Sequence, residues 1–308
     1  MQNPNIVFMG TPEFAVPALS AIHSKYGISA VVTVPDKPKG RGLKLIPSPV
    51  KEKAFELEIP VFQPEKLKDE DFIQSIRVLE PDIIVVIAFR ILPRELFTIP
   101  KLASFNIHGS LLPKYRGAAP INHAIINGET RSGLTSFILQ DKVDTGNILL
   151  KKEVEISLDM SAGELHDLLM PQAAELSIET IELLLRGNYT PLIQDESLSS
   201  PAPKLNKENT LINWRMTAQQ IINFIRGLSP YPTAWTNMDD APIKILKALK
   251  IDSNNLEPGK YSITKKQFLV GTSDIDISIT YLQPPNKKSM PVSDFLNGYR
   301  GANEGFLG

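Results

Sequence analysis

Three side chains in one region of this chain could do chemistry together. Asn106 and His108 stand in FNIHGSLLPKYRGAAPI (105–121), and Asp144 opens the Asp144-Thr145-Gly146 turn downstream. Asn106 and His108 lie two apart in a short run of β-branched and aromatic residues, so on a strand both point to one face while Phe105 and Ile107 point to the other. The run ends at Gly109-Ser110 and is followed by Leu111-Leu112-Pro113. The polar pair therefore falls near the carboxyl end of a strand, where open α/β sheets bind ligands. An amide, an imidazole and a carboxylate beside Gly- and Pro-shaped turns supply a hydrogen-bond donor, a ring that exchanges protons near neutral pH and a fixed charge. These are the parts of a reaction site. The same residues also have plainer uses: an Asn and a His near a strand end can cap neighbouring loops, and an Asp before Thr-Gly is a turn former.

The elements that must position them follow from the rest of the chain. Short apolar runs alternate with helix-like segments: NIVFMG, a helix from about Glu13 to Lys25, ISAVVTV, a helix around Val50 to Glu58, DIIVVIAF, then ASFNIHGS. This rhythm predicts βα units on a largely parallel sheet. The first turn, Gly10-Thr11-Pro12, lacks the GxGxxG spacing of a dinucleotide site, so NAD is not expected. A long helix-compatible stretch over about 161–185 leads into NYTPLIQDESLSSPAPKLNKENT, whose Pro, Ser, Asp and Asn content predicts a linker. Beyond it MTAQQIINFIRGL has helical periodicity, and residues 233–282 break into short alternating runs that predict a small β-barrel.

Composition bounds the class. A chain of 308 residues with 42% hydrophobic and 22% charged residues suits about two soluble globular domains. The absence of cysteine excludes a disulfide framework, a thiol nucleophile and thiolate metal sites. The four histidines, at 23, 108, 123 and 166, show no metal-ligand spacing, and no metal is expected. Apolar runs such as IIVVIAF (83–89) are far short of the ~20 residues of a membrane helix, and MQNPNIVFMG does not have the shape of a secretory signal. A cytoplasmic protein with no membrane partner is the expectation. Residues 207–308 hold 12 Lys and Arg against 9 Asp and Glu, a net +3, while residues 1–206 carry a net −4. A mildly basic back third agrees with a polyanionic partner, and is also common on surfaces that bind nothing.

The chain resembles the methionyl-tRNA formyltransferase family in FMGTPEFAVPAL (8–19), PDKPKGRGLKLIPSPVK (35–51), SFNIHGSLLPKYRGAAPI (104–121) and VDTGNIL (143–149). The match continues in APKL (202–205), INW (212–214), GLSPYPTAW (227–235) and LQP (282–284), and so spans essentially the full length. The resemblance implies an α/β fold, a Rossmann-like open, largely parallel sheet (the formyltransferase fold), followed by a smaller OB-like β-barrel domain. It divides the chain into a folate-binding catalytic domain over 1–189, a linker over 190–206 and a tRNA-binding domain over 207–308. It implies transfer of a formyl group from 10-formyltetrahydrofolate to initiator methionyl-tRNA for translation initiation, by a monomer. Asn106, His108 and Asp144 align with the family's catalytic trio, and Ser110, Leu111, Leu112 and Pro113 with its folate-contacting turn. Arg41, Lys39 and Lys44, in a cationic Pro- and Gly-rich arm, would contact tRNA, with Arg41 entering at the acceptor end. One departure stands at Phe89-Arg90, where many members carry a Tyr-Gly pair close to the pterin pocket.

Formyl transfer attacks a formamide carbonyl with an amine through a tetrahedral oxyanion. Asn106 would donate to that oxyanion, an interaction worth about 10²–10³ in rate. His108 would exchange protons near neutral pH, worth roughly 10²–10⁴. Asp144 would orient the imidazole or hold a water that relays the proton. Other readings stay open at this level: a formyltransferase acting on glycinamide ribonucleotide or an amino-sugar nucleotide, a folate-dependent hydrolase, or a silent folate- or tRNA-binding protein. The extension beyond the front domain argues against the ribonucleotide enzyme, and retention of the whole trio argues against a silent protein.

Overall fold

The computed structural model describes residues 3–39 and 44–308. In chain order the elements are β1 (Ile6–Gly10), α1 (Val16–Tyr26), β2 (Ala30–Val32), β3 (Lys37–Lys39), β4 (Lys44–Ile46), α2 (Pro49–Glu56), β5 (Val61–Phe62), α3 (Glu70–Val78), β6 (Ile83–Ile87), α4 (Arg94–Phe97), β7 (Ala103–His108), β8 (Arg116–Gly117), α5 (Pro120–Ile126), β9 (Arg131–Ile138), β10 (Ile148–Glu155), α6 (Ala162–Arg186) and β11 (Pro201–Ala202). They continue as α7 (Ala218–Leu228), β12 (Ala234–Met238), β13 (Ala241–Lys250), β14 (Lys260–Ile263), β15 (Phe268–Val270), β16 (Ile277–Gln283), β17 (Met290–Pro291), α8 (Val292–Gly298) and β18 (Glu304–Phe306). The chain forms two compact units, Met1–Gly117 with Ser132–Val154 and His166–Pro201, and Ala118–Arg131 with Glu155–Leu165 and Ala202–Gly308.

The first unit is built on a seven-stranded sheet in the order β10-β9-β7-β6-β1-β2-β5. β1, β2, β5, β6 and β7 run parallel, and β9 turns antiparallel on β7. β1 and β6 are buried along their whole length, as expected of Val- and Ile-rich strands covered on both faces. From β1 the chain winds outward to β2 and β5, then returns to lay β6 and β7 on the other side. The strand order thus reverses between β1 and β6, and it is at the carboxyl ends of the strands at such a switch point that open α/β sheets bind ligands. Gly10 closes β1 there, and a Cβ on it would sit 2.9 Å from Phe8 Cε1 and 3.1 Å from the Ile87 carbonyl. The helix expected from Glu13 begins as a 3₁₀ turn over Glu13–Ala15 before α1, whose Pro17 falls in the first turn, where its missing N–H is no loss. Ser48 and Asp69 cap α2 and α3 by accepting from the Lys51 and Phe72 amides at 3.1 Å each.

The second unit has its own core. Thr217 and Gln220 form a capping box that starts α7. The apolar stripe of α7, Ile221, Ile225 and Leu228, packs with Ile243, Phe268, Val270, Ile277 and Ile279 of an antiparallel sheet in the order β12-β13-β16-β15-β14-β18. β13 shifts register against β16 between Ile245 and Ala248, which bends and twists the sheet. The Gly308 amide reaches back to the Asn237 carbonyl at 3.2 Å, so the chain end after β18 meets the edge strand β12 and the sheet curls toward a barrel. α5 belongs to this unit and approaches α7 at Gly227, whose Cβ would lie 2.5 Å from Ile126 Cγ1. Among the described residues no helix is long and apolar enough to cross a membrane.

Candidate active site

The alternation along β7 is as the sequence predicts. Phe105 and Ile107 are buried in the packed face, while His108 is buried and Asn106 half-buried on the other. The Asn106 carboxamide has no hydrogen-bond partner among the described residues, which leaves its two N–H donors open to an incoming group. Opposite His108 on β9 stands Thr135. Its hydroxyl donates to the Ser110 carbonyl at 2.7 Å and accepts from the Leu112 amide at 3.0 Å, so β9 shapes the turn that follows β7. Ser110 and Leu112 are fully buried, and the Ser110 hydroxyl donates to the Lys114 carbonyl at 2.6 Å. A peptide bond in the cis form joins Leu112 and Pro113.

His108 is held from both sides. Its Nε2 lies 2.8 Å from the Tyr115 carbonyl. A carbonyl only accepts, so Nε2 carries the hydrogen, and Nδ1 is the basic nitrogen of the neutral ring. Nδ1 faces Asp144 Oδ2 at 3.7 Å, with both side chains largely buried. Nδ1 is thus the ring nitrogen that looks onto the Asp144 carboxylate. Asp144 Oδ2 also accepts from the Gly117 amide at 2.9 Å. Asp144 itself sits at φ +55, a left-handed conformation that Asp tolerates better than most residues. Gly146 has no alternative, because a Cβ there would stand 1.6 Å from the Ile138 carbonyl oxygen.

The remaining sequence candidates divide. Arg90 is held by main-chain carbonyls: Nη1 and Nη2 donate to the Glu65 and Pro64 carbonyls at 2.9 and 2.8 Å, and the guanidinium lies 5.2 Å from the Phe89 ring centre. Partial burial lowers its pKa from the usual arginine range. Lys39 and Lys44 pair through their main chains in the β3–β4 hairpin, and their side chains lie outside the described residues, as does the whole of Arg41. Lys244, Lys247, Lys250, Lys265, Lys266, Lys287 and Lys288 are all exposed on the second unit. Sequence reasoning did not find Gln194, which is 6% exposed and bonded to the turn carrying Asp144. Its only local signal was a Gln in a polar, Pro-containing stretch, and the partners that give it meaning are about fifty residues away.

An amide on a strand, a ring nitrogen and a carboxylate behind it, at the carboxyl edge of an open sheet, are the kinds of group that carbonyl-group transfer calls on. Known proteins narrow this class. Residues 4–181 match the family model for formyl transferase, and residues 204–300 that for the formyl transferase C-terminal domain. A methionyl-tRNA formyltransferase of Clostridium perfringens is 49% identical over 298 residues, covering 95% of this chain and 96% of its own. One from Chlorobium limicola is 46% identical over 308 residues, covering 97% of each chain. The crystal structure of WlaRD, a sugar 3N-formyl transferase, shares the fold at a TM-score of 0.68 and 22% identity, over 94% of this chain and all of that one. A methionyl-tRNA formyltransferase from Clostridium thermocellum does so at 0.56 and 17% identity, over 90% of this chain and 98% of its own. The chain belongs to the formyl transferase family, in its methionyl-tRNA formyltransferase branch.

Proposed function

We propose that this enzyme transfers the formyl group of 10-formyltetrahydrofolate to the free amino group of initiator methionyl-tRNA, making N-formylmethionyl-tRNA. The observation that carries the reading is the Asn106 carboxamide, without a side-chain partner among the described residues, on the strand whose His108 faces Asp144. The neutral amine attacks the formyl carbon, and the carbonyl oxygen becomes an oxyanion that meets the Asn106 donors. The amine's surplus proton passes to His108 Nδ1, where Asp144 supports the charge. Collapse of the intermediate breaks the bond to N10 of the folate, which leaves with a proton returned from His108. An α-amino group has a pKa near ~7.7–8.0, so a neutral fraction exists at pH 7 without a strong base. In this reading Ser110, Leu111, Leu112 and Pro113 form the folate-side turn, and Arg41, Lys39 and Lys44 receive the acceptor end. Residues 1–189 hold the chemistry, 190–206 connect, and 207–308 give the electrostatic footing for tRNA through the exposed lysines. The enzyme acts as a cytoplasmic monomer.

The test supplies purified protein with formyl-labelled 10-formyltetrahydrofolate and initiator methionyl-tRNA, with a dTDP-amino sugar in a parallel reaction. Label on the methionyl amine is the expected result. Label on the sugar instead, or release as free formate alone, would replace this reading with a sugar formyltransferase or a hydrolase.

A further inference from the structure

The stretch after α6, polar and rich in Pro and Ser, does more than connect. Gln194 Nε2 donates to two main-chain carbonyls, Asp144 at 2.9 Å and Gly146 at 2.7 Å. Its Oε1 accepts from Arg116 Nε at 3.1 Å and Nη2 at 2.7 Å. Both donors and both acceptor lone pairs of the carboxamide are thus engaged, and the Arg116 donors decide which end is oxygen. Arg116 is gripped in turn by Glu196, which accepts from Nη1 and Nη2 at 2.8 Å each and whose carboxyl is held below the usual range by that guanidinium. The Arg116 amide donates to the Ser200 carbonyl at 2.9 Å, and the Tyr115 amide to the Ser200 hydroxyl at 3.0 Å.

Three consecutive residues consequently engage three different members of the site. Tyr115 offers its carbonyl to His108, Arg116 orients Gln194, and Gly117 donates to Asp144. Gln194 closes the ring by tying Arg116 to the turn that presents Asp144. We infer that Gln194 is a positioning residue of the reaction: its carboxamide, oriented by Arg116, holds the Asp144 turn so that the carboxylate stays facing His108 Nδ1. The inference rests on the formyl-transfer reading of the site. Without Gln194, the Asp144 and Gly146 carbonyls are deprived of their side-chain donor. Asp144 is then free to drift from His108, while the folate-side turn, held by Thr135 and Ser110, keeps its shape. The damage should therefore appear in kcat rather than KM.

The experiment uses the full chain with Gln194→Met, which keeps length and removes every hydrogen bond, and Gln194→Glu, which still accepts from Arg116 but cannot donate to the carbonyls. Arg116→Lys, which keeps charge toward Glu196 but loses the planar fork, serves if the Gln194 variants do not fold. Each is measured alone and with Asp144→Asn, for formyl transfer and for the histidine ring resonances by NMR, where only four imidazoles are present. Expected are a kcat at least about tenfold lower and a KM for 10-formyltetrahydrofolate within about threefold of wild type. The loss should vanish in the Asp144→Asn background, because both changes break the same coupling. The His108 ring resonances should shift as they do in Asp144→Asn, with those of His23, His123 and His166 in place. A kcat within about threefold, a full loss retained on top of Asp144→Asn, or unshifted His108 ring resonances overturns the inference. If the wild-type protein transfers no formyl group, the function reading falls, and the NMR comparison still decides whether Gln194 positions Asp144 against His108.

Discussion

Gly146→Ala is a one-methyl probe of the turn that carries Asp144. A Cβ at this position would lie 1.6 Å from the Ile138 carbonyl oxygen and 2.8 Å from the Ile138 carbonyl carbon. Ordinary contact begins at 3.4 Å, so the two main chains must part by about 1.8 Å, far more than the few tenths a packed neighbour yields. Ile138 is registered against Phe105 on β7, so the turn is the partner that moves. A displacement of that size, two residues from Asp144, breaks the 2.9 Å bond to the Gly117 amide and takes the carboxylate away from His108. Overpacking costs about 1–3 kcal/mol and the charged hydrogen bond about 1.5–3 kcal/mol. With about 2–4 °C per kcal/mol for units of this size, Tm should fall by roughly 5–24 °C. A misplacement of about 1 Å can cost 10²-fold in rate, so kcat should drop at least that far. Formyl transfer at saturating substrate and calorimetric melting measure the two effects, with Gly298→Ala, which meets nothing within 4 Å, as the control. A Gly146→Ala enzyme with kcat within about threefold and Tm within about 1 °C of wild type would refute the account of this turn.

Asn106→Ala and His108→Ala should keep the fold and folate binding yet lose about 10²-fold or more in kcat, because in the proposed reaction each meets charge that develops only in the transition state; weakened folate binding at normal kcat would reassign them. Thr217→Ala removes the cap of α7 and should lower stability by about 0.5–2 kcal/mol, read from chemical denaturation, with transfer chemistry in the other unit unaffected. The Asp274 carboxyl is held below the usual range chiefly by the Ala218 amide, and also by the Thr272 hydroxyl. A carboxyl depressed on folding stabilises above its unfolded pKa of about 3.9 and loses that contribution as pH falls through its folded value. The melting difference between wild type and Asp274→Asn should therefore be largest near neutral pH and shrink in acid, and a difference that grows in acid would contradict this sign. Replacing Lys244, Lys247 and Lys250 by Gln should weaken tRNA binding uniformly across sequences and flatten its salt dependence by about one unit of log–log slope for each phosphate that a lysine had neutralised; filter binding over a salt series would show an unchanged slope if these lysines do not meet phosphate.

Much of the architecture was legible because it is written in local periods. Alternating apolar runs and helical stretches announce the strands β1, β2, β6 and β7 and the helices α1 and α2, and the 3.6-residue stripe of MTAQQIINFIRGL announces α7. The period of two places Asn106 and His108 on one face whatever their surroundings. The 3₁₀ entry to α1, the hairpin of β3 and β4, and the antiparallel return of β9 left no such mark, since each depends on what packs or pairs against it. The same holds for α5 and residues 155–165, which precede the Pro- and Ser-rich stretch in the chain yet join the second compact unit.

The amino-acid order alone determined which chemistry is on hand: an amide and an imidazole two apart at a strand end, a carboxylate in a Thr-Gly turn, no thiol and a basic back third. Which nitrogen of His108 is basic, and what holds Asp144 against it, was decided only by tertiary structure. Those answers come from the Tyr115 carbonyl, the Gly117 amide and the Gln194 carboxamide. Main-chain groups carry no sequence identity, and a glutamine's hydrogen bonds are defined by whichever distant turn the fold brings within about 3 Å of it. Residue types therefore name the reagents, and the packing of the Asp144 turn against residues 115–117 and 194 sets the geometry in which they react.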